Sequence, residues 1–419
     1  MKIFKFGGAS VKNAESFSSV TNILKNQTTK HDTLVIVISA MGKTTNLLEK
    51  LTDAYFEHNI EEVKNLYKQT RDFHYLQSIK LFGDTSLKHI EIMDILYKLN
   101  ERLQENVSDN YDYEYDQIVS YGELLSSRFL SSFLEKNGFS NTLLDSRKII
   151  ITDSSYRSAS IKWDITKTNI DLKVKAHPGH IYVTQGFIGG TEDKTTTTLG
   201  REGSDFSASI FAFCTNAKEV TVWKDVPGIL NADPLFFPDA VKIDFLSYHD
   251  AIELAYYGAK VIHPKTVKPL QNKGIPLYVK SFIQPSGSGT KISEISSHTK
   301  VPSFIIKKQL ILLTISPKDF SFVTEKSLSF IFALIADNSL KINMMQNSAL
   351  SFSLCLDTNS RIKNIIQTLS IDFSVKYNEN IELITIWHYN DNTIRTLLKN
   401  KTVLLEERTR HTVQFLVKG

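Results

Sequence analysis

Cysteine is nearly absent. Cys214 and Cys355 are the only two in 419 residues. They are too few and too far apart for a disulfide framework or a zinc site, and they read as small buried hydrophobes. Excess charge is also absent. The 49 Lys and Arg face 45 Asp and Glu, a net charge of +4, and there is no long basic run, so nucleic acid is not expected as a partner. Long apolar runs are missing as well: residues 328–336 fall far short of the ~20 needed to span a bilayer. Lys2 and Lys5 interrupt the first apolar residues, so no signal-peptide core is expected. A soluble, cytoplasmic protein without a membrane partner fits these absences. With 42% apolar and 22% charged residues the composition is ordinary, and the length predicts two or three domains.

What is present is organised around Lys5-Phe6-Gly7-Gly8-Ala9-Ser10. Residues 1–6, MKIFKF, predict a short strand, and a helix-like run begins near Lys12. Paired glycines between strand and helix let backbone N–H groups approach an anion, and Lys5 adds a point charge. A lone Lys-x-Gly-Gly is more often an ordinary strand–turn–helix with a surface lysine, so the case depends on the rest of the chain.

Residues 34–38, LVIVI, predict a strand buried on both faces of a parallel sheet. They lead into Ser39-Ala40-Met41-Gly42-Lys43-Thr44-Thr45-Asn46. The Gly-Lys-Thr there is not a P-loop, because that motif needs glycine at position 37, which is Val37. It predicts a second donor-rich loop at the same sheet edge, where small molecules bind. Residues 47 to about 130 have helical period; Leu47, Leu48, Leu51 and Ala54 form a buried stripe. Glu123, after Gly122, is by itself an ordinary solvated helix residue, but beside an amino-acid substrate it could accept from an ammonium.

Strands are predicted near 142–145, 182–184, 219–223 and 275–279. Residues 195–205, TTTTLGREGSD, read either as a flexible threonine-rich loop or as a ligand loop. Ser204 or Asp205 can cap the helix that follows, and Arg201 offers a planar fork for a carboxylate. His263, near a turn, is read as structural. Residues 285–290, PSGSGT, read as the domain boundary. After Pro302 the order is βαββαβ, a ferredoxin-like unit, then a shorter βαββ that must cover its exposed sheet elsewhere. The expected division is 1–295, 302–376 and 377–419.

The stretches 5–10, 39–46, 121–123, 186–190, 196–205, 225–233 and 257–264 stand in the order and context of aspartate kinases, and the chain resembles that family over nearly its whole length. The resemblance implies an amino acid kinase-type three-layer α/β/α sandwich followed by ferredoxin-like ACT domains. It implies transfer of the ATP γ-phosphoryl group to the side-chain carboxylate of L-aspartate, giving 4-phospho-L-aspartate at the start of lysine, threonine and methionine biosynthesis. Carried over residue by residue, Lys5 and Asp205 are catalytic. Arg201 takes the α-carboxylate and Glu123 the ammonium, with Thr45 and Ser204 beside them. ATP falls to Lys5, Gly7, Gly8, Ala9, Ser10, Lys224, Asp225, Leu230, Leu235, Lys260 and Val261. Mg²⁺ is expected to bind mainly through phosphate oxygens, with no protein metal cage. A homodimer through the ACT region and an amino-acid effector are also implied. Four departures stand out: Ala9 where threonine is usual, Glu202 where glycine is common, and Leu230 and Leu235 where tyrosine and arginine are frequent. The Glu202 side chain is expected to point outward.

Overall fold

The computed structural model describes residues 1–259, 262–294, 301–319 and 321–418. Up to residue 293 the strands are, in chain order, β1 (Lys2–Phe6), β2 (Leu34–Ile38), β3 (Asn141–Leu144), β4 (Ile181–Gln185), β5 (Ile188–Gly190), β6 (Thr196–Thr198), β7 (Glu219–Lys224), β8 (Ile229–Leu230), β9 (Lys242–Ile243), β10 (Phe245–Ser247), β11 (Leu277–Ser281) and β12 (Thr290–Ser293). Eight of them form one sheet in the order β10-β12-β11-β7-β1-β2-β4-β3. All its neighbours are parallel except β11 and β12.

The apolar runs explain the centre of this sheet. Every residue of β2 is buried, as a parallel strand covered on both faces requires. Side chains alternate along β1. Phe4 and Phe6 join Leu34, Ile36, Ile38, Phe17 and Phe129 in a core with the helices Ala14–Gln27 and Tyr121–Lys136. Lys5 therefore points to the other face, where helix Gly203–Thr215 packs on β1. Chain order reverses around β1, with β2 on one side and β7 on the other, so the carboxyl ends of β1 and β7 flank a topological switch point.

Four helices, Thr44–Phe56, Ile60–Phe82, Leu87–Arg102 and Tyr111–Val119, follow β2. Leu48, Leu51 and Ala54 lie in their own core, as the period predicts. No helix among the described residues is long and apolar enough to cross a membrane. The segment 285–290 is not a boundary. Its last residue, Thr290, opens β12 inside the sheet, where its hydroxyl accepts from the Ile229 N–H at 2.7 Å and donates to the Ile243 carbonyl.

The chain divides into two units. One holds residues 1–229, 242–255 and the described residues 262–294. The other holds 230–241, 256–259 and the described residues from 301 onward. In the second, β13 (Ser303–Pro317), β14 (Ile342–Asn347), β15 (Phe352–Asp357), β16 (Phe373–Trp387), β17 (Thr402–Arg408) and β18 (Thr412–Lys418) form an antiparallel sheet, ordered β14-β15-β13-β16-β18-β17. Helices Glu325–Asp337, Ile362–Asp372 and Asp391–Leu397 complete βαββαβ followed by βαββ. The last strand of the first unit and the first strand of the second are one continuous strand, β16. β13 is equally long, and its residues 303–307 pair with 383–387. That pairing gives the shorter unit a fourth strand and covers the edge it would otherwise expose.

Candidate active site

A cleft of about 430 Å³ opens on the first unit, and Lys5, Thr45, Glu123, Arg201, Ser204, Asp205 and Lys224 all line it. Residues more than two hundred positions apart in the chain meet there because β1, β2 and β7 end side by side.

Lys5 is the penultimate residue of β1 and is only 8% exposed. Its Nζ lies 2.7 Å from Asp205 Oδ1, and Lys224 Nζ lies 3.6 Å from Asp205 Oδ2. Burial alone would raise the Asp205 carboxyl, but the charges of Lys5 and Lys224 outweigh it and hold the group below its usual range. Asp205 also sits in the first turn of helix Gly203–Thr215, where the helix dipole favours a carboxylate. The helix cap differs from expectation. The N-cap is Glu202, with no side-chain cap bond, and both Ser204 and Asp205 fall inside the helix.

The turn after β1 is tightly built. Residues 8–11 form a single 3-10 turn, and a Cβ on Gly8 would lie 2.8 Å from the Ala40 carbonyl oxygen and 2.9 Å from that of Gly42. Glycine at position 8 thus lets the two donor-rich loops touch backbone to backbone. The Ser10 hydroxyl donates to the Trp223 carbonyl at 3.3 Å and so ties this turn to β7. Ala9 is exposed on this turn.

Glu123 is not a solvated helix residue; it is 2% exposed. Helix Tyr121–Lys136 approaches the second loop closely because position 122 has no side chain: a Cβ there would lie 2.8 Å from the Ala40 Cβ. Glu123 Oε1 accepts from the Ala40 N–H at 3.1 Å, while Oε2 is buried and accepts from no described residue. Burial pushes the carboxyl up to about 8, against the Ala40 hydrogen bond and the Lys5 charge.

Not every expected residue arrives at the cleft. Gly7, Gly8, Ala9 and Ser10 form the turn beside it, and a Cβ on Gly7 would lie 3.5 Å from Lys5 Nζ. Asp225 follows β7 and is exposed. Leu230 and Leu235 belong to the second unit, with Leu235 87% exposed, and neither lines the cleft. Lys260 and Val261 lie outside the described residues. The outward Glu202 is corrected: its side chain lines the cleft and its Oε2 is buried. The threonine-rich segment is a hairpin, β5 with β6, whose Thr197 and Thr198 are fully buried. His263 caps helix Pro264–Lys273 by accepting from the Lys265 N–H, as a structural histidine would.

The sequence reading missed Glu49, Tyr115, Arg157 and Phe187, which complete the lining, and Asp116 behind them. Asp116 is fully buried and accepts from the Thr198 N–H (2.8 Å), the Thr198 hydroxyl (2.7 Å) and the Arg157 N–H (3.0 Å). Burial raises its carboxyl to about 6 despite those bonds. Three residues of the lining other than glycine, Arg157, Phe187 and Glu202, have left-handed backbones, with φ of 64°, 67° and 53°. Strained backbone of this kind collects at functional sites.

Residues 1–281 match the amino acid kinase family. The chain belongs to that family. Within it, the kinase is 30% identical over 371 residues to aspartokinase 2, chloroplastic, of Arabidopsis thaliana, covering 85% of this chain and 66% of the plant protein. It is 26% identical over 403 residues to the lysine-sensitive aspartokinase 3 of Escherichia coli, covering 92% of this chain and 86% of that one. Against the bifunctional aspartokinase/homoserine dehydrogenase of Buchnera aphidicola it is 32% identical over 304 residues, but spans 36% of that length. In structure it resembles E. coli aspartokinase III in complex with aspartate and ADP, with a TM-score of 0.82 at 24% identity, covering 100% of this chain and 96% of that one. The likeness shows that the amino acid kinase and its C-terminal ferredoxin-like region share the aspartokinase fold.

Proposed function

We propose that this amino acid kinase is an aspartate kinase, transferring the γ-phosphoryl group of ATP to the side-chain carboxylate of L-aspartate. The observation that carries the reading is the meeting, in one cleft, of a lysine–aspartate–lysine cluster with a buried glutamate whose second oxygen has no described donor. The cluster suits phosphoryl transfer, which needs positioning and charge neutralisation more than covalent help. Lys5, held by Asp205, faces the transferring group, with Lys224 beside it. Glu123 receives the ammonium of the acceptor and Arg201 its α-carboxylate, leaving the side-chain carboxylate free to attack in line. The Arabidopsis and E. coli aspartokinases named above match 85% and 92% of this chain, which favours aspartate over other carboxylate acceptors.

The donor set also suits Mg²⁺ carried on ATP. Asp205 is committed to two lysines, and the described residues hold no group of three metal-ligating side chains. The ion would be held through phosphate oxygens and would neutralise their charge. We place the enzyme in the cytoplasm, at the first step of aspartate-family amino-acid synthesis. We expect it to be a homodimer through the residues after Pro302, where Phe322, Met345 and Ile371 are exposed. Light scattering that finds an active monomer would remove the dimer.

The test is coupled ADP release with aspartate, glutamate and acetylglutamate as acceptors. Activity is expected with aspartate alone. Lys5→Ala should lower kcat by roughly 10²–10³-fold, with the aspartate KM little changed. Near-normal turnover in that variant, or preference for another acceptor, would overturn the reading.

A further inference from the structure

Arg157 has features that its surroundings do not require. Arg157 lines the cleft. Its guanidinium carbon lies 4.4 Å from the centre of the Tyr115 ring and 5.7 Å from that of Tyr111, within cation–π range of both. Tyr115 is itself anchored, its hydroxyl donating to Glu49 Oε1 at 2.7 Å. The nearest anion is Asp112, with 3.5 Å between Oδ1 and Arg157 Nη1 and both side chains about half exposed. Such a pair contributes little and leaves the guanidinium free to take a ligand. The backbone beneath is left-handed, a conformation that disfavours arginine and suits glycine. It is held by the fully buried Asp116, which accepts from the Arg157 N–H and binds Thr198 of the hairpin twice. The same segment packs on the arginine loop: a Cβ on Gly200 would lie 3.2 Å from the Arg157 carbonyl oxygen.

Among the other charged residues of the cleft, four have assignments. Lys5 and Lys224 are paired with Asp205, and Glu123 is an acceptor awaiting a donor. Arg201 and Arg157 are the remaining cations of the lining, and their loops touch at Gly200. We propose that Arg157 is a second ligand for the α-carboxylate of the acceptor, so that a two-arginine clamp fixes the amino-acid end of the substrate. Asp116 is the positioning residue that sets the Arg157 backbone. The inference rests on the aspartate kinase reading and adds a residue to it. A planar fork held beside an anchored aromatic ring loses little freedom on binding, and two forks can satisfy both carboxylate oxygens.

The experiment uses the full chain with Arg157→Gly. Glycine adopts the left-handed backbone without strain, so the variant should fold with an unchanged or raised Tm. Initial rates are measured with aspartate and ATP varied in turn, and aspartate binding by calorimetry without ATP. The expected result is an aspartate KM and Kd raised by at least about tenfold, with kcat and the ATP KM within about twofold of wild type. Millimolar guanidinium chloride should restore part of the lost affinity. Asp116→Asn should raise the aspartate KM in wild type but add nothing in the Arg157→Gly background. An unchanged aspartate KM in Arg157→Gly overturns the proposal, and so does a rise confined to the ATP KM. Failure of the aspartate kinase reading looks different: the wild-type protein itself would not turn over aspartate.

Discussion

Glu123→Gln should make the empty enzyme more stable and unable to hold its substrate. The Glu123 carboxyl is raised from the usual 4.5 to about 8, chiefly by burial, so the fold favours its protonated form. Stability contributed by this group is complete below about pH 4.5 and is lost as pH rises towards 8, beyond which the loss is constant. At about 1.4 kcal/mol per pH unit, the stability lost relative to pH 4.5 is roughly 3 kcal/mol at pH 7, where the side chain must take up a proton to fold, and roughly 5 kcal/mol above pH 8, where it folds ionised. Glutamine is nearly isosteric, keeps an acceptor for the Ala40 N–H and carries no charge. The stability gained by Glu123→Gln should therefore be near zero at pH 4.5, grow with pH and level off near pH 8. Urea unfolding of both proteins across that range, followed by tryptophan fluorescence, measures the difference. Aspartate should stabilise the wild type but not the variant. The wild type should also release a proton on binding aspartate near neutral pH, because the ammonium pulls Glu123 into its ionised form; calorimetry in buffers of different ionisation heat reads this directly. Parallel pH profiles for the two proteins would refute the argument, since they would mean that Glu123 is ionised and solvated in the empty cleft.

Two further predictions follow from local geometry. Glu202→Gly removes a left-handed glutamate and a buried carboxylate oxygen, and should stabilise the protein by about 1 kcal/mol; an unchanged or lowered Tm would show that the Glu202 carboxyl has found a partner worth the strain. Lysine should inhibit weakly or not at all, with threonine the better effector if either acts, because Lys307 Nζ already donates to Asn343 Oδ1 at 2.9 Å and Asn343 donates to Asp357, so a cationic effector would meet a cation there. Micromolar lysine inhibition that disappears on changing Asn343 would show the opposite.

The parts of this site that were legible in the sequence are those where one short stretch carries its own signal. A strand ending in Gly7-Gly8 predicts a tight turn before the first helix, and the turn is there; that Gly8 packs on Ala40 and Gly42 was not legible. The strand predicted at residues 1–6 is β1, and its alternation places Lys5 on the face away from Phe4 and Phe6. The order of ACT-type strands was legible for the same reason, but the length of β13 and β16 was not. Two short apolar runs separated by Lys376-Tyr377-Asn378-Glu379-Asn380 look like two strands, and only the pairing with β13 holds the polar stretch extended. Burial of Glu123 was invisible because it depends on how closely helix Tyr121–Lys136 nears Ala40, a distance set by tertiary packing.

Three cleft residues whose placement the sequence did not give, one of them Glu202, which was expected to point outward, share one physical property. Sequence rules assign left-handed backbone to glycine and, less often, to asparagine. Here the wall of the cleft is made from Arg157, Phe187 and Glu202 in that conformation. A propensity scale places each of them in ordinary helix or loop, so nothing in the string marks them. What fixes them is a set of distant bonds: Asp116 to the Arg157 N–H, Ser207 Oγ accepting from the Phe187 N–H at 3.0 Å, and Phe187 O accepting from the Leu199 N–H at 2.8 Å. Each bond crosses from one element to another, and each acts on backbone, not on side chain. The strain they sustain has a use only if the side chains so presented do something in the cleft, because glycine would serve the turns better. The same local rule that failed to find these positions therefore separates them from the rest of the lining: where a bulky or charged residue stands at left-handed φ beside a ligand cleft, the side chain, and not the turn, is what the position provides.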